Sequence, residues 1–467
     1  MLLEPVITNK SSHTFRVLIV SAYELGRQPI PVATAASIFR GANCDVSVLD
    51  LSTSEIDLDL KNIDVLAISC SMHTASRLGL EFARGAKLVN PKIRTIGFGL
   101  YASLLAEDEY LNPEIDLWIG GEFETGLSEF VNSLVETSKL SELSSKDISG
   151  VGQHPNFKRG VHLLPDRTGL QSLRHYGHVE RVDGSHFAGA VEASRGCAHM
   201  CTHCPIPSVY GGKLRLVDHD LALRDIDAQV ELGAEHITFT DPDFFNAVPH
   251  SMGIIREMRE RYPEITFDAT IKVEHLIEHQ QRIPELSESG CLFITSAFES
   301  LNDSILNKLK KGHTSADLYQ ALDLVRASDL FIHPTWLPFT PWTRIQDIKD
   351  ILAFAVEQGL VSRVPPIQYG LRLLVPPRSL LIDTLQNEGL LRGFNNEKLT
   401  YEWINKETDV LQGQISELVE AGQSEFYDFN DTFSDVWNLV FGSEVPIPAV
   451  KVDIPDFIPG LTEGWFC

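Results

Sequence analysis

Cys197, Cys201 and Cys204 fall within the run Cys197-Ala-His-Met-Cys-Thr-His-Cys204, a Cys-x3-Cys-x2-Cys loop. Thiols this dense, directly after the strand-like residues 187–193, form a claw for one metal centre. A [4Fe-4S] cubane that only carries electrons usually takes four cysteines, so three leave one iron open to a substrate or cosubstrate. Zinc is the competing occupant, because Cys3His is a legitimate structural site and His199 or His203 could complete it. Zinc sites usually pair two separated short motifs, however, and the chain has no second cysteine pair. A disulfide is disfavoured, since the loop would keep an odd thiol.

The spacing resembles the radical S-adenosylmethionine (SAM) superfamily, in which the open iron chelates the amino and carboxylate groups of SAM. One departure is His203, which stands before Cys204 where the superfamily commonly has an aromatic residue.

The elements that must hold this loop follow it as repeated strand–helix units. Strands are expected at residues 235–245, 266–272, 293–299, 331–334 and 368–372, and helices at 221–232, 251–261, 280–289 and 318–328. With the strand before the loop, this is a (β/α)6 pattern over residues 187–392, similar to the partial barrel of radical SAM enzymes, whose chemistry lies at the strands' C-terminal ends. Phe239-Thr-Asp-Pro-Asp-Phe-Phe-Asn246 resembles the family's motif after the second strand, which implies that Asp241 and Asp243 hold SAM. Thr295-Ser-Ala-Phe-Glu-Ser-Leu-Asn302 with Leu309-Lys-Lys-Gly-His-Thr314 resembles its Glu-Ser … Lys-Gly-x-Thr segment, which turns Glu299 toward the SAM ribose or amino group. Carboxylates suit that place because ribose hydroxyls and an ammonium are donors. Lys272, and from the far side Arg372, could meet the SAM carboxylate. Lys310 and Lys311 read as a solvated face.

Residues 15–140 alternate strands (15–20, 45–50, 64–69, 94–99, 116–120) with helices (32–40, 75–89). That order specifies a doubly wound parallel sheet, Rossmann-like, whose ligands bind beyond the carboxyl ends of the strands. Those ends are rich in small residues: Ser21, Gly26, Ser69, Ser71, Gly97, Gly99 and Gly121. Small residues let a flat cofactor approach the backbone, although tight glycine turns occur at these places in any such sheet. The domain resembles the cobalamin-binding domain that precedes many radical SAM barrels. Its closing run, Ile115-Asp-Leu-Trp-Ile-Gly-Gly-Glu-Phe-Glu124, matches that family's ending through Gly121, Glu122 and Glu124. Many such domains carry Asp-x-His-x-x-Gly after the first strand, with the histidine on cobalt. Here the register is Ser21-Ala-Tyr-Glu-Leu-Gly26, so Tyr23 stands at the histidine's place and bound cobalamin is expected to lack that ligand.

A chain of 467 residues is too long for one ordinary core. Its hydrophobic content of 43% and charged content of 22% are those of a soluble globular protein. The net charge of −25 argues against nucleic acid, which needs a basic stripe. Residues 1–14 are a polar flexible tail without the apolar stretch of a signal peptide, and no run reaches the roughly 18 apolar residues of a membrane span. A cytoplasmic protein without membrane partners is expected. A polar linker is expected over 141–186 and a helical, then loop-like extension over 393–467.

The end of the chain, Ile458-Pro-Gly-Leu-Thr-Glu-Gly-Trp-Phe-Cys467, together with Ala22-Tyr-Glu-Leu-Gly-Arg-Gln-Pro29, resembles a radical SAM subgroup with a Cys-Cys-Ala-Glu-Pro or Cys-selenocysteine-Ala-Glu-Pro tail. The expectation is that the gene continues past Cys467 through a selenocysteine codon.

The resemblances imply an enzyme holding a [4Fe-4S] cluster, SAM and cobalamin, supplied with electrons by a flavodoxin or ferredoxin. It would methylate or rearrange an unactivated carbon of a small molecule or peptide. The alternative is a cluster-carrying electron-transfer or sensor protein on the same fold, which needs a fourth ligand from Cys44, Cys70, Cys291 or Cys467. The resemblances name no residue for the chemical step itself.

Overall fold

The computed structural model describes residues 14–54, 59–106, 112–137, 148–151, 162–423 and 429–463. The expected tail at 1–14 (apart from Thr14) and the run Trp465-Phe-Cys467 lie outside the described residues. The chain forms two compact units: residues up to Glu24 with Pro29–Gln171, and Leu25–Gln28 with Ser172 onward.

The first unit is one parallel sheet of β1 (Arg16–Ser21), β2 (Asp45–Asp50), β3 (Val65–Ser69), β4 (Arg94–Gly99) and β5 (Leu117–Gly120), in the order β2-β1-β3-β4-β5. Its central strands are unbroken apolar runs because both faces are covered, as a parallel sheet requires. Val17, Ile19, Val65, Ala67, Ile96 and Phe98 pack with Val32, Phe39, Leu127 and Phe130 from the helices Ile30–Gly41 and Phe123–Thr137. The order reverses between β1 and β3, and at such a switch point the connections leave to opposite faces and open a crevice.

In the second unit β6 (His178–Arg181) turns antiparallel into β7 (Gly184–Val191). A short hairpin of β8 (Ser194–Gly196) and β9 (Leu214–Leu216) brackets the cysteine loop. Four parallel strands then follow β7: β10 (His236–Phe239), β11 (Thr266–Thr270), β12 (Cys291–Glu299) and β13 (Phe331–Trp336). A small hairpin, β14 (Leu391–Asn395) with β15 (Thr400–Trp403), leads to the helices Asp409–Gln423 and Phe429–Phe441. The whole second sheet runs β13-β12-β11-β10-β7-β6-β16, where β16 is Gly460–Leu461.

Two expectations change here. The sixth barrel strand at 368–372 is a 3-10 turn, Pro366–Gly370, with a single parallel bridge from Arg372 to Phe339. Pro365 and Pro366 fix φ and remove two ladder donors, which suits a helical first turn and not a strand. The Gln368 side chain fills the missing ladder place, accepting from the Trp336 amide at 2.9 Å. The loop-like C-terminal stretch also contains a strand: β16 pairs antiparallel with β6 and covers that edge.

The half-barrel core is aromatic on its helix side. Phe298 and Trp336 meet edge-to-face with centroids 5.5 Å apart, and both meet Phe354 of the helix Ile345–Glu357. Capping fixes the helix starts. Asp218 accepts from the amides of Asp220 and Leu221, and Thr314 with Asp317 forms a reciprocal box before Ser315–Arg326. No helix among the described residues is long and apolar enough to cross a membrane.

Candidate active site

The three cysteines lie in the loop between β8 and the short helix Pro205–Tyr210, beyond the C-terminal end of β7. Gly196 (φ 73°) makes the turn into the loop, where an added Cβ would collide with the Lys213 carbonyl and the Tyr210 ring. Cys197 and Cys201 are buried and Cys204 is half-buried. Asn246, after β10, reaches Cys197: its Nδ2 lies 3.5 Å from Sγ, and its Oδ1 accepts from the Ala198 amide at 3.3 Å. Thr202 ties the other limb down, its amide donating to Leu309 O at 3.0 Å and its hydroxyl to Lys308 O at 2.8 Å.

The loop histidines, one of which a Cys3His zinc site would need, are engaged by other side chains: His199 Nε2 lies 3.2 Å from His275 Nε2, and His203 Nε2 lies 3.2 Å from Glu299 Oε1. Burial pushes the Cys204 thiol up to about 12, and its neighbours Cys201 and Cys197 add to the push. Three thiolates gathered here would need a cationic centre to offset their charge.

Asp243 and Lys272 are brought together. Asp243 is fully buried, and its Oδ1 faces the amides of Phe245 and Lys272 at 3.3 Å each. Its Oδ2 lies 2.7 Å from His275 Nδ1 and 3.6 Å from His199 Nε2, close contacts without hydrogen-bond alignment. The Lys272 ammonium donates to Glu274 at 2.9 Å. His275 and Asn246 were not singled out from sequence, though Asn246 closes the motif that carries Asp243, and His199 was considered only as a zinc ligand.

Glu299 ends β12 in a left-handed conformation (φ 63°) beside a register shift in the ladder to β13. The chain itself engages one of its oxygens: Lys311 Nζ donates to Oε1 at 3.1 Å and His203 Nε2 lies at 3.2 Å from the same oxygen. Burial works to raise this acid, but Lys311 and His203 outweigh it and hold the carboxyl at about 2. The solvated reading of the lysine pair therefore holds for Lys310 only. Lys311 is 3% exposed, because the chain after Leu309 turns inward between the cysteine loop and Glu299.

Asp241 and Arg372 have partners that account for them structurally. Asp241 is buried, accepting from the Ala193 amide at 2.9 Å and the Ser194 hydroxyl at 2.5 Å. It thus anchors the entry to the cysteine loop, while burial raises its carboxyl to about 7. Arg372 does not join Lys272. Its guanidinium stacks 3.5 Å from the Trp403 ring centroid and donates to Asp409 and to Trp403 O at 2.6 Å each. The two-strand hairpin and the helix after it captured this side chain, and neither was visible as a partner from spacing.

In the first unit Ser21 and Ser69 end β1 and β3 at the switch point, buried, with hydroxyls that have no hydrogen-bond partner among the described residues. Ser71 donates to Glu24 at 2.7 Å across the same crevice, and Tyr23 is half-buried beside it. Orphaned hydroxyls at a switch point fit a ligand that bonds them. Gly99 (φ 107°) and Gly121 (φ 68°) need left-handed backbone. Glu122 is buried, with His162 Nε2 3.4 Å from its carboxylate. Gly97 has a different reason: a Cβ there would lie 2.4 Å from the Trp118 ring, so it packs the sheet rather than leaving room for a ligand. Gly26 belongs with the second unit, where its carbonyl accepts from the Gly177 amide at 2.7 Å. His73, which begins the helix after β3, is a strand-end imidazole that sequence reading overlooked.

Residues 191–354 match the radical SAM superfamily. This chain carries a radical SAM domain. Bacteriochlorophyllide d C-12(1)-methyltransferase of Chlorobaculum tepidum is 25% identical over 336 residues, 68% of this chain and 65% of that protein, so the chain spans just under two thirds of its length. The structure of TsrM from Kitasatospora setae, a radical SAM methyltransferase with tryptophan and a SAM analogue bound, superposes with a TM-score of 0.64 at 14% identity, covering 87% of this chain and 89% of that one. Another structure of TsrM holds cobalamin and a [4Fe-4S] cluster. OxsB, with aqua-cobalamin and SAM bound, gives 0.63 at 16% identity over 88% of this chain and 66% of that one. These likenesses establish the fold, a radical SAM half-barrel in an α/β chain. The expected fourth cluster ligand of a sensor finds no support in Cys291. It starts β12, eight residues before Glu299 at the site, or about 26 Å along an extended strand.

Proposed function

We propose that the protein is a cobalamin-dependent radical SAM enzyme that transfers a methyl group to, or rearranges, an unactivated carbon of a small molecule or peptide. The observation that carries this is the triad Cys197, Cys201 and Cys204 at the C-terminal end of the half-barrel sheet, on a loop whose two histidines are engaged elsewhere. The cluster would supply the electron that breaks a carbon–sulfur bond of SAM, and cobalamin a methyl carrier.

The chain's own residues would do the rest. Asn246 and Thr202 fix the two limbs of the loop. Asp243 and the Lys272 ammonium present a carboxylate and a cation at neighbouring strand ends, complementary to the ammonium and carboxylate of SAM. Glu299 would hold the loop through His203 and Lys311 on Oε1, with its second oxygen turned toward the SAM ribose or amino group. Ser21, Tyr23, Ser69, Ser71, Gly99, Gly121 and Glu122 would line the cobalamin crevice. A flavodoxin or ferredoxin would be the electron donor, and relatives acting on tryptophan and bacteriochlorophyllide support a small-molecule substrate.

Anaerobic protein reconstituted with iron, sulfide and hydroxocobalamin, then given SAM and dithionite, should form deoxyadenosine or demethylated SAM. Neither product, at full iron content, overturns the proposal.

A further inference from the structure

Lys311 is the one charged residue of its segment that the fold draws inside. It follows the helix Asp303–Lys308, and its amide donates to Leu306 O at 3.1 Å. The same segment is stitched to the cysteine loop by both Thr202 bonds, and Ser379 Oγ donates to Thr202 O at 3.5 Å from the other side. The segment that carries the ammonium is therefore tied to Thr202, between Cys201 and Cys204, by two hydrogen bonds. The ammonium donates to Glu299 Oε1, and the same oxygen faces His203, the residue before Cys204. A closed chain runs from cation to carboxylate to imidazole to cluster ligand.

We propose that Lys311 sets the reduction potential of the cluster on Cys197, Cys201 and Cys204, with Glu299 fixing the ammonium and partly offsetting its charge. This rests on the cluster proposed above. A reduced cluster carries one more negative charge than an oxidised one, so a fixed neighbouring cation favours reduction and a fixed anion opposes it. Burial keeps water and salt from screening either charge. A surface lysine would do little; one that is 3% exposed is placed to act.

The test is the midpoint potential of anaerobically reconstituted full-length protein, followed by electron paramagnetic resonance during dithionite titration with mediators. Iron and sulfide are counted in every sample. Lys311→Met should make one-electron reduction roughly tenfold less favourable, a fall of about 59 mV. Glu299→Gln should move the potential the opposite way, and Lys311→Arg should leave it near wild type. Opposite signs distinguish charge from general loosening of the loop, which would shift both variants alike. Unchanged potentials, or shifts of one sign, at full iron content overturn the inference. If Lys311→Met fails to take up iron, a Glu299→Gln potential that does not rise overturns it equally. Wild-type protein that takes up no iron would fail the cluster reading itself, a separate and visible result.

Discussion

The Lys311 ammonium lies 3.1 Å from the Glu299 carboxylate, with both side chains at least nine-tenths buried. Removing one partner of a buried ion pair leaves a bare charge in a poor solvent. Lys311→Ala or Glu299→Ala alone should cost about 3–5 kcal/mol of stability. The double variant Lys311→Ala/Glu299→Ala should cost less than the sum of the two singles. Urea unfolding of the four proteins gives the coupling directly.

Acid should dissolve this pair late. Glu299 is held at about 2, below the ordinary glutamate range near 4.3. A depressed acid contributes stability that is complete above its unfolded value and is lost as pH falls toward its folded value. The stability gap between wild type and Glu299→Gln should therefore stay constant from pH 7 to about 4.5 and shrink between about 4.3 and 2. Urea midpoints at pH 6, 4.5, 3.5 and 2.5 measure it; a gap already closing at pH 6 would contradict the assignment.

Arg372 should prove structural. Its stacking on Trp403 and its bond to Asp409 need a planar, forked cation. Arg372→Lys should lose about 1–2 kcal/mol of stability. SAM affinity, followed by equilibrium dialysis, should not change.

Asp243→Asn should weaken SAM binding about tenfold or more while iron content stays at the wild-type level. The substitution removes the buried carboxylate charge but keeps an acceptor for the Lys272 and Phe245 amides. Equilibrium dialysis with iron counting separates the two effects.

How far the sequence carried the structure depends on whether the signal was local. Strand–helix alternation in residues 15–140 needs only neighbours, and β1 to β5 form within one or two residues of their expected places. The Cys-x3-Cys-x2-Cys loop was equally plain, because metal-ligand spacing is written in consecutive residues. The expected strand over 368–372 failed on Pro365 and Pro366, a local signal given too little weight. Lys311, His203 and Glu299 were harder. They lie up to 108 positions apart in sequence and meet only because β12 ends beside the cysteine loop. The pair Lys310-Lys311 looks uniform in sequence, and only the inward turn after Leu309 separates an exposed lysine from a buried one. Arg372 was misplaced for a like reason, since Asp409 and Trp403 come from elements that spacing alone could not bring near.

The most direct measurement of the central claim is the low-temperature electron paramagnetic resonance spectrum of the dithionite-reduced, anaerobically reconstituted protein, with and without SAM. Four irons per chain and a cluster signal that changes on adding SAM are predicted. Cys197→Ala, Cys201→Ala and Cys204→Ala should each abolish that signal. A cluster spectrum indifferent to SAM, or one that survives loss of any of the three cysteines, would contradict an open iron held by this triad.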